Sequence, residues 1–275
     1  DFAESLLEEG VSDFVALGRS QFADPEFMNK ARAGKPESIR KCIGCMYCRE
    51  RLLGNAMPVE CSLNPRLGRE YRYRWQDLQK NGNSRPVVVV GGGPGGMSAA
   101  YFLSRSGVDV TVFERRDALG GIVRHVIPGF RIPGEAIDND VRLMEAMGVK
   151  VELNTEVKNV QELFAQGFTH VILATGAWQK GSAGLEYGEE HNVIEFLEAA
   201  KKAPDTLNLG RHVVVIGGGN TAMDAARAAK RLPGVETVSL VYRRTRRYMP
   251  ADQEELELAL ADGGEFRELL APVGV

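Results

Sequence analysis

Two stretches of the chain follow the same pattern of apolar block, glycine turn and helix. In the first, Val87–Val90 is an unbroken run of β-branched residues, the mark of a strand buried on both faces of a parallel sheet. Gly91-Gly-Gly93-Pro94-Gly95-Gly96 then turns the chain, and a helix is predicted to start near Gly95 and break at Gly107. A second strand runs from Val108 to Phe113 and ends at Glu114. The pattern repeats at Val213-Val-Val-Ile216, Gly217-Gly-Gly219 and a helix opening Asn220-Thr221-Ala222, with a following strand over Thr237–Val241. Between the two stretches, the periodicity predicts a helix over 135–147, a strand over Val149–Leu153 and a buried strand from His170 ending in Ala174-Thr175-Gly176. Upstream it predicts a helix over 3–10, a short buried strand at Phe14–Leu17 and a helix opened by the Asp24-Pro25 pair. Downstream, Asp252–Leu260 forms an acidic amphipathic helix.

Strands alternating with helices predict an α/β fold with parallel sheets. A strand, a glycine turn and a helix N-terminus together form an anion cradle: glycine lets backbone approach a pyrophosphate, and free N–H groups and the helix dipole face it. Gly91, Gly93, Pro94 and Gly96 are the candidate phosphate-side residues, and Glu114 stands where a carboxylate accepts hydrogen bonds from ribose hydroxyls. Gly217, Gly219, Asn220 and Thr221 form a second such loop, hence a second dinucleotide, with Ala222 in the third glycine's place. Its second strand ends in Tyr242-Arg243-Arg244 instead of an acid. Guanidinium groups there pair with a 2′-phosphate, which favours NADP(H) over NAD(H); a solvated basic face is the plainer reading.

Composition narrows the class. The 275 residues are 44% apolar and 26% charged, with 31 glycines and a formal net charge of −3. That balance argues against a nucleic-acid binder. No apolar run approaches a membrane span and no signal peptide is visible, so a cytoplasmic protein acting on a small-molecule substrate is expected. A homo-oligomer stays open. The chain starts at Asp1 in mid-helix and stops at Val275 with both sheets expected to lack strands, and is read as a fragment incomplete at both ends.

All four cysteines fall between Cys42 and Cys61. Cys42, Cys45 and Cys48 recur every three residues, Gly44 lets the loop bend, and Cys61 returns from a second loop after the polar 49–60 segment. In a reducing compartment such a set means metal rather than disulfides. Four local thiolates suit a [4Fe–4S] cluster; a structural four-cysteine zinc site needs the same ligands, and unliganded cysteines are a third reading. His125, His170, His191 and His212 show no ligand spacing, and Trp75 and Trp178 pack on either a flavin or the core.

Particular runs carry a family resemblance. Asp13–Phe27 with Lys30–Gly34 resembles the end of an old-yellow-enzyme-type (β/α)8 barrel, which implies that Gly18 and Arg19 hold an FMN phosphate. The continuation through Cys42, Cys45, Cys48 and Cys61 is similar to the fused subgroup containing 2,4-dienoyl-CoA reductase, 2-enoate reductase and trimethylamine dehydrogenase. Leu119-Gly120-Gly121 resembles the second glycine turn of two-dinucleotide flavoproteins, and Thr175-Gly176 the turn beside FAD in that class. Ile127–Pro133 resembles a segment of the glutamate synthase small subunit and dihydropyrimidine dehydrogenase.

The resemblance implies a two-dinucleotide-binding, glutathione-reductase-type Rossmann-like fold preceded by an iron–sulfur loop segment and a barrel remnant. It divides the chain into a barrel remnant over 1–34, a cluster segment and linker over 35–84, an FAD-binding domain over 85–208 and a truncated NAD(P)-binding domain over 209–275. The implied enzyme passes electrons from NAD(P)H through FAD and [4Fe–4S] to FMN, which reduces an activated C=C bond of an enoate or enoyl thioester. Its acid–base residues would lie on barrel loops outside this sequence, so none is named. Two rivals remain: an NADPH-to-FAD input module as in glutamate synthase or pyrimidine reduction, and a non-catalytic zinc-bearing nucleotide-binding module.

Overall fold

The computed structural model describes residues 2–72, 82, 85–179, 181, 184–188 and 190–274. Trp75 and, apart from Gly82, the linker at 80–84 lie outside the described residues. The chain opens with three short helices, α1 (Phe2–Glu8), α2 (Arg19–Ala23) and α3 (Phe27–Arg32), then α4 (Tyr47–Arg49) continued by a π turn at Glu50–Gly54. The expected strand at Phe14–Leu17 is not formed, and Phe14 is 88% exposed. Apolar residues become a strand only with a neighbouring edge to pair, and the described residues offer none there. The helix expected at Asp24-Pro25 starts at Phe27 instead. Asp24 is buried and accepts from the backbone N–H groups of Glu26 (3.1 Å) and Arg40 (2.9 Å), and from Lys30 Nζ (2.6 Å).

The first sheet is β3-β2-β1-β4, all parallel: β1 (Pro86–Val90), β2 (Asp109–Phe113), β3 (Lys150–Glu152) and β4 (His170–Leu173). β1 lies between β2 and β4, which is why four consecutive valines suit it. Val88 and Val89 are fully buried, one on each face. Full burial contributes about 1.5–3 kcal/mol per such side chain. One face is covered by α5 (Pro94–Arg105) and, after the short α6 (Gly121–His125), by α7 (Gly134–Ala146), through Ala100 and Met144. The other is covered by Leu163 of α8 (Val160–Ala165) with Phe113 and Phe168, whose rings meet edge to face.

After α9 (Val193–Lys202) the chain enters a second parallel sheet, β5-β6-β7: β5 (His212–Ile216), β6 (Thr237–Tyr242) and β7 (Glu265–Glu268). Its core is α10 (Asn220–Lys230) and α11 (Gln253–Ala261) packed on Val238 and Leu240. β7 was not expected from the sequence. Glu265-Phe-Arg-Glu268 has no apolar run, and only the Gly263-Gly264 pair before it signals a turn into a strand. The two units meet through an apolar cluster of Val126, Leu197, Ala225 and Ala228, against which Ile122 and Trp178 pack.

Candidate functional site

The first glycine loop leaves the end of β1 with no room for a side chain at Gly91, Gly92 or Gly96. Gly91 has φ +106°, and a Cβ there would meet the Ala174 carbonyl oxygen at 2.3 Å. At Gly96 a Cβ would lie 1.9 Å from the Gly91 carbonyl oxygen. Gly93 is the N-cap of α5 and Pro94 its first residue, where the missing proline N–H costs nothing, and the unpaired N–H groups of the rest of the first turn stand at the positive end of the dipole. The Gly120-Gly121 turn lies against this loop: Gly120 N–H donates to the Gly92 carbonyl at 2.8 Å, and a Cβ on Gly121 would come within 2.8 Å of the Gly93 Cα. Ala174 and Thr175 close the third side through the contact with Gly91. Three loops far apart in sequence thus gather at the C-terminal ends of β1 and β4, the position where open α/β sheets bind ligands.

Glu114 braces the loop, which its position in sequence did not show. It is 6% exposed, and its two oxygens accept from the N–H groups of Gly92 (2.7 Å) and Arg116 (2.9 Å). It pins the loop from the strand end while keeping further lone pairs for a ligand. Arg116 stacks over Trp178, 4.3 Å from the ring centroid, and forms a bidentate pair with Glu198 of α9 at 2.5 and 3.0 Å. The Arg116 guanidinium holds the Glu198 carboxyl down at about 2. Trp178 packs in the core between the two units. Burial lowers the pKa of His125, whose Nε2 lies 3.2 Å from the Ala118 carbonyl; that contact fits a packed core histidine.

The second loop has a different finish. Asn220 and Asp252, the N-cap of α11, pair reciprocally: Asn220 Nδ2 donates to Asp252 Oδ2 at 2.9 Å, and Asp252 N–H to Asn220 Oδ1 at 3.0 Å. Tyr242 donates its hydroxyl to the Tyr248 carbonyl at 2.7 Å, and Ala251 N–H donates to Gly218 at 3.0 Å. These bonds fold the 243–251 loop back onto the glycine turn. Arg243, Arg244 and Arg247 on that loop are exposed and have no carboxylate partner among the described residues, whereas Arg246 pairs with Glu257 at 3.3 Å. Gly217 and Gly219 are not crowded, and Thr221 is exposed at the start of α10.

Cys42, Cys45, Cys48 and Cys61 line one small cavity together with Arg19, Ile43, Met46 and Ser62. Gly44 takes φ +70°, and its N–H donates to Cys42 Sγ at 3.4 Å. Cys45 Sγ lies 3.3 Å from Ser62 Oγ. No group of three or more His, Cys, Asp or Glu is arranged as a metal-ligand set among the described residues. A metal centre that binds thiolates contributes its own binding energy to assembling them, since its ligands are not held together in the unfolded chain. Four thiols on one cavity wall are a fitting donor set. Gly18 and Arg19 border the same region: they line an open recess with Cys42 and Gly44, and Arg19 Nη1 reaches Met46 Sδ at 2.7 Å.

Residues 85–263 match the family of pyridine nucleotide-disulphide oxidoreductases. The chain belongs to that family. Membership implies an oxidoreductase that uses FAD and NAD(P)H, and it accounts for two glycine loops on two parallel sheets. Among relatives of this pyridine nucleotide-disulphide oxidoreductase, the Escherichia coli (strain K12) protein named "Putative oxidoreductase YgfK" is 47% identical over 207 residues, covering 74% of this chain and 20% of that one. The chain therefore spans a fifth of that relative's length. The "Putative glutamate synthase [NADPH] small chain" of Cereibacter sphaeroides is 37% identical over 299 residues, covering 98% of this chain and 70% of that one. Among solved structures, a 2-naphthoyl-CoA reductase shares the fold with a TM-score of 0.82 at 24% identity, covering 97% of this chain and 40% of that one. Among the described residues no helix is long and apolar enough to cross a membrane.

Two features escaped the sequence reading. Arg131 reaches across from the first unit to Asp224 on α10, and Glu198 holds Arg116. Asp224 carries a signal in hindsight: it is the one acid in the otherwise alanine-rich stretch Thr221–Ala229, on a helix face that packs into the core.

Proposed function

We propose that the chain is the electron-transfer part of a flavin/iron–sulfur oxidoreductase, passing electrons from NAD(P)H through FAD and a [4Fe–4S] cluster to FMN for reduction of an activated C=C bond in an enoate or enoyl thioester. The observation that carries this reading is the juxtaposition of three features in one chain: an acid-closed glycine loop, a base-closed glycine loop and a four-cysteine cavity. A flavin supplies the chemistry the sequence of features calls for, since it takes two electrons as hydride and releases them singly. Gly91, Gly93, Pro94, Gly96, Gly120, Gly121, Thr175 and Gly176 present backbone to FAD, and Glu114 orients its ribose. Gly217, Gly219, Asn220 and Thr221 take the pyrophosphate of the pyridine nucleotide, and Arg243 and Arg244 pair with the 2′-phosphate of NADP(H). Cys42, Cys45, Cys48 and Cys61 hold the cluster, and Gly18 with Arg19 borders the FMN phosphate. On this reading residues 1–34, 35–84, 85–208 and 209–275 are the barrel remnant, cluster segment, FAD domain and NAD(P) domain.

A second reading keeps the electron input and changes the acceptor, as an NADPH-to-FAD module of the glutamate synthase small-subunit type. The match to the Cereibacter sphaeroides protein favours it, as does the 127–133 segment. One experiment tests both against a zinc-bearing module: anaerobic purification with assay of iron, acid-labile sulfide and zinc beside the visible spectrum. About four iron and four sulfide per chain with a flavin spectrum supports the relay. Zinc without sulfide or flavin overturns it.

A further inference from the structure

Phe130 and Arg131 leave the first unit between α6 and α7 and enter a charged socket on the second. Arg131 Nε donates to Asp224 Oδ1 of α10 at 2.9 Å, and its Nη2 lies 2.9 Å from Glu255 Oε1 of α11. The Phe130 ring lies beneath two guanidiniums, those of Arg227 (4.4 Å to the centroid) and Arg231 (4.5 Å). Both of those arginines are held from behind by Asp262, at 2.7 and 2.6 Å. Lys201 of α9 steadies the base of the plug by donating to the Ile127 carbonyl at 2.6 Å. Asp224 is 6% exposed, and burial pushes its carboxyl up to about 6 while Arg131 and Arg227 draw it back. A buried carboxylate with that cost is tolerated where its partner is fixed, and loss of either partner leaves an uncompensated charge.

The place of the socket matters. α10 begins at the second glycine loop, and the plug follows α6, which begins at Gly121 beside the first. The contact thus joins the helix that rises from the second dinucleotide loop to the segment that follows the Gly120-Gly121 turn packed against the first. From this geometry we infer that Phe130–Arg131 is a docking plug that sets the separation of the two dinucleotides, so that Arg131 is a positioning residue for hydride transfer. This rests on the reading that NAD(P)H on the second unit reduces FAD on the first.

Misplacement by an ångström costs hydride transfer far more than it costs binding, because reacting atoms must sit at near-contact distance. The test uses the flavin-loaded protein in anaerobic stopped flow, with amide hydrogen exchange as an independent readout of docking. In Arg131→Met the limiting rate of flavin reduction falls at least about tenfold, while the NADPH dissociation constant and flavin content stay within about threefold. Exchange at 127–133 accelerates in the same variant. Arg131→Lys, which keeps one ion pair, recovers part of the rate, and the isosteric Asp224→Asn repeats the split should Arg131→Met fold poorly. An unchanged limiting rate, or a loss confined to NADPH affinity or flavin content, overturns the inference. If NADPH leaves the wild-type flavin oxidised, the functional reading fails instead; unchanged exchange in Arg131→Met would still sink the plug by itself.

Discussion

At the first glycine loop β2 ends in Glu114, a buried carboxylate that accepts from Gly92 and draws the turn tight. At the second, β6 ends in Tyr242, whose ring fills the place beside Gly218, and exposed Arg243 and Arg244 follow. The third loop position shows the same contrast. A Cβ on Gly96 would collide with backbone at 1.9 Å, whereas Ala222 carries its own Cβ without crowding. One strand–turn–helix plan therefore supports two electrostatic finishes. An acid inside the first loop braces it, and bases stand exposed outside the second; on the proposed reading the first meets ribose hydroxyls and the second a 2′-phosphate.

Gly96→Ala is the sharpest way to break the comparison. It should destabilise the protein by about 3 kcal/mol or more and abolish flavin retention, since neither backbone segment can yield. The reverse change in the second loop, Ala222→Gly, creates no clash and costs the helix propensity difference of about 1 kcal/mol and one buried methyl of about 0.8 kcal/mol. Urea unfolding of both variants checks the asymmetry, and equal losses would show the loops to be interchangeable.

Glu114→Ala comes next. It leaves the N–H groups of Gly92 and Arg116 without their acceptor, at about 2–3 kcal/mol, and flavin content should fall in step. Glu198→Ala removes the bidentate support of Arg116 and should cost about 2 kcal/mol. Its pH signature has a definite sign. The folded carboxyl titrates at about 2, below its usual 4.5, so its stabilisation is complete above 4.5 and is lost as pH falls through about 2. Acid unfolding of Glu198→Ala should accordingly lack that component, and an unchanged acid limb would contradict the assignment.

The smallest effect is expected at the basic finish. Arg243→Ala and Arg244→Ala should each weaken NADPH binding about tenfold, or about 1.4 kcal/mol, with NADH unchanged and folding unaffected. Equilibrium titration with both nucleotides reads this directly. Equal losses for NADPH and NADH would mean that these side chains form a general basic face.

What the sequence made legible follows from the range of each interaction. β1, β5 and the glycine turns are local: β-branched runs and glycines dictate strand and turn within a dozen residues, and the structure has them there. The cysteine spacing is local too, and the four side chains do share a cavity. Phe14–Leu17 stays unpaired because its apolar residues find no strand edge among the described residues, and β7 stayed hidden because its pairing with β6 supplies what its composition lacks. The Arg131–Asp224 contact spans 93 positions and Arg116–Glu198 spans 82, distances over which no periodicity speaks. Such pairs are created by the docking of the two units.

The central claim is that the second loop holds the electron donor for a flavin on the first. Anaerobic mixing of the flavin-loaded protein with NADPH or NADH, followed through the flavin absorbance, tests it most directly. Rapid bleaching by NADPH at concentrations where NADH is ineffective, with that preference lost in the Arg243→Ala/Arg244→Ala double variant, is the predicted result. A bound flavin that stays oxidised under NADPH, or a preference that survives removal of both arginines, would contradict it.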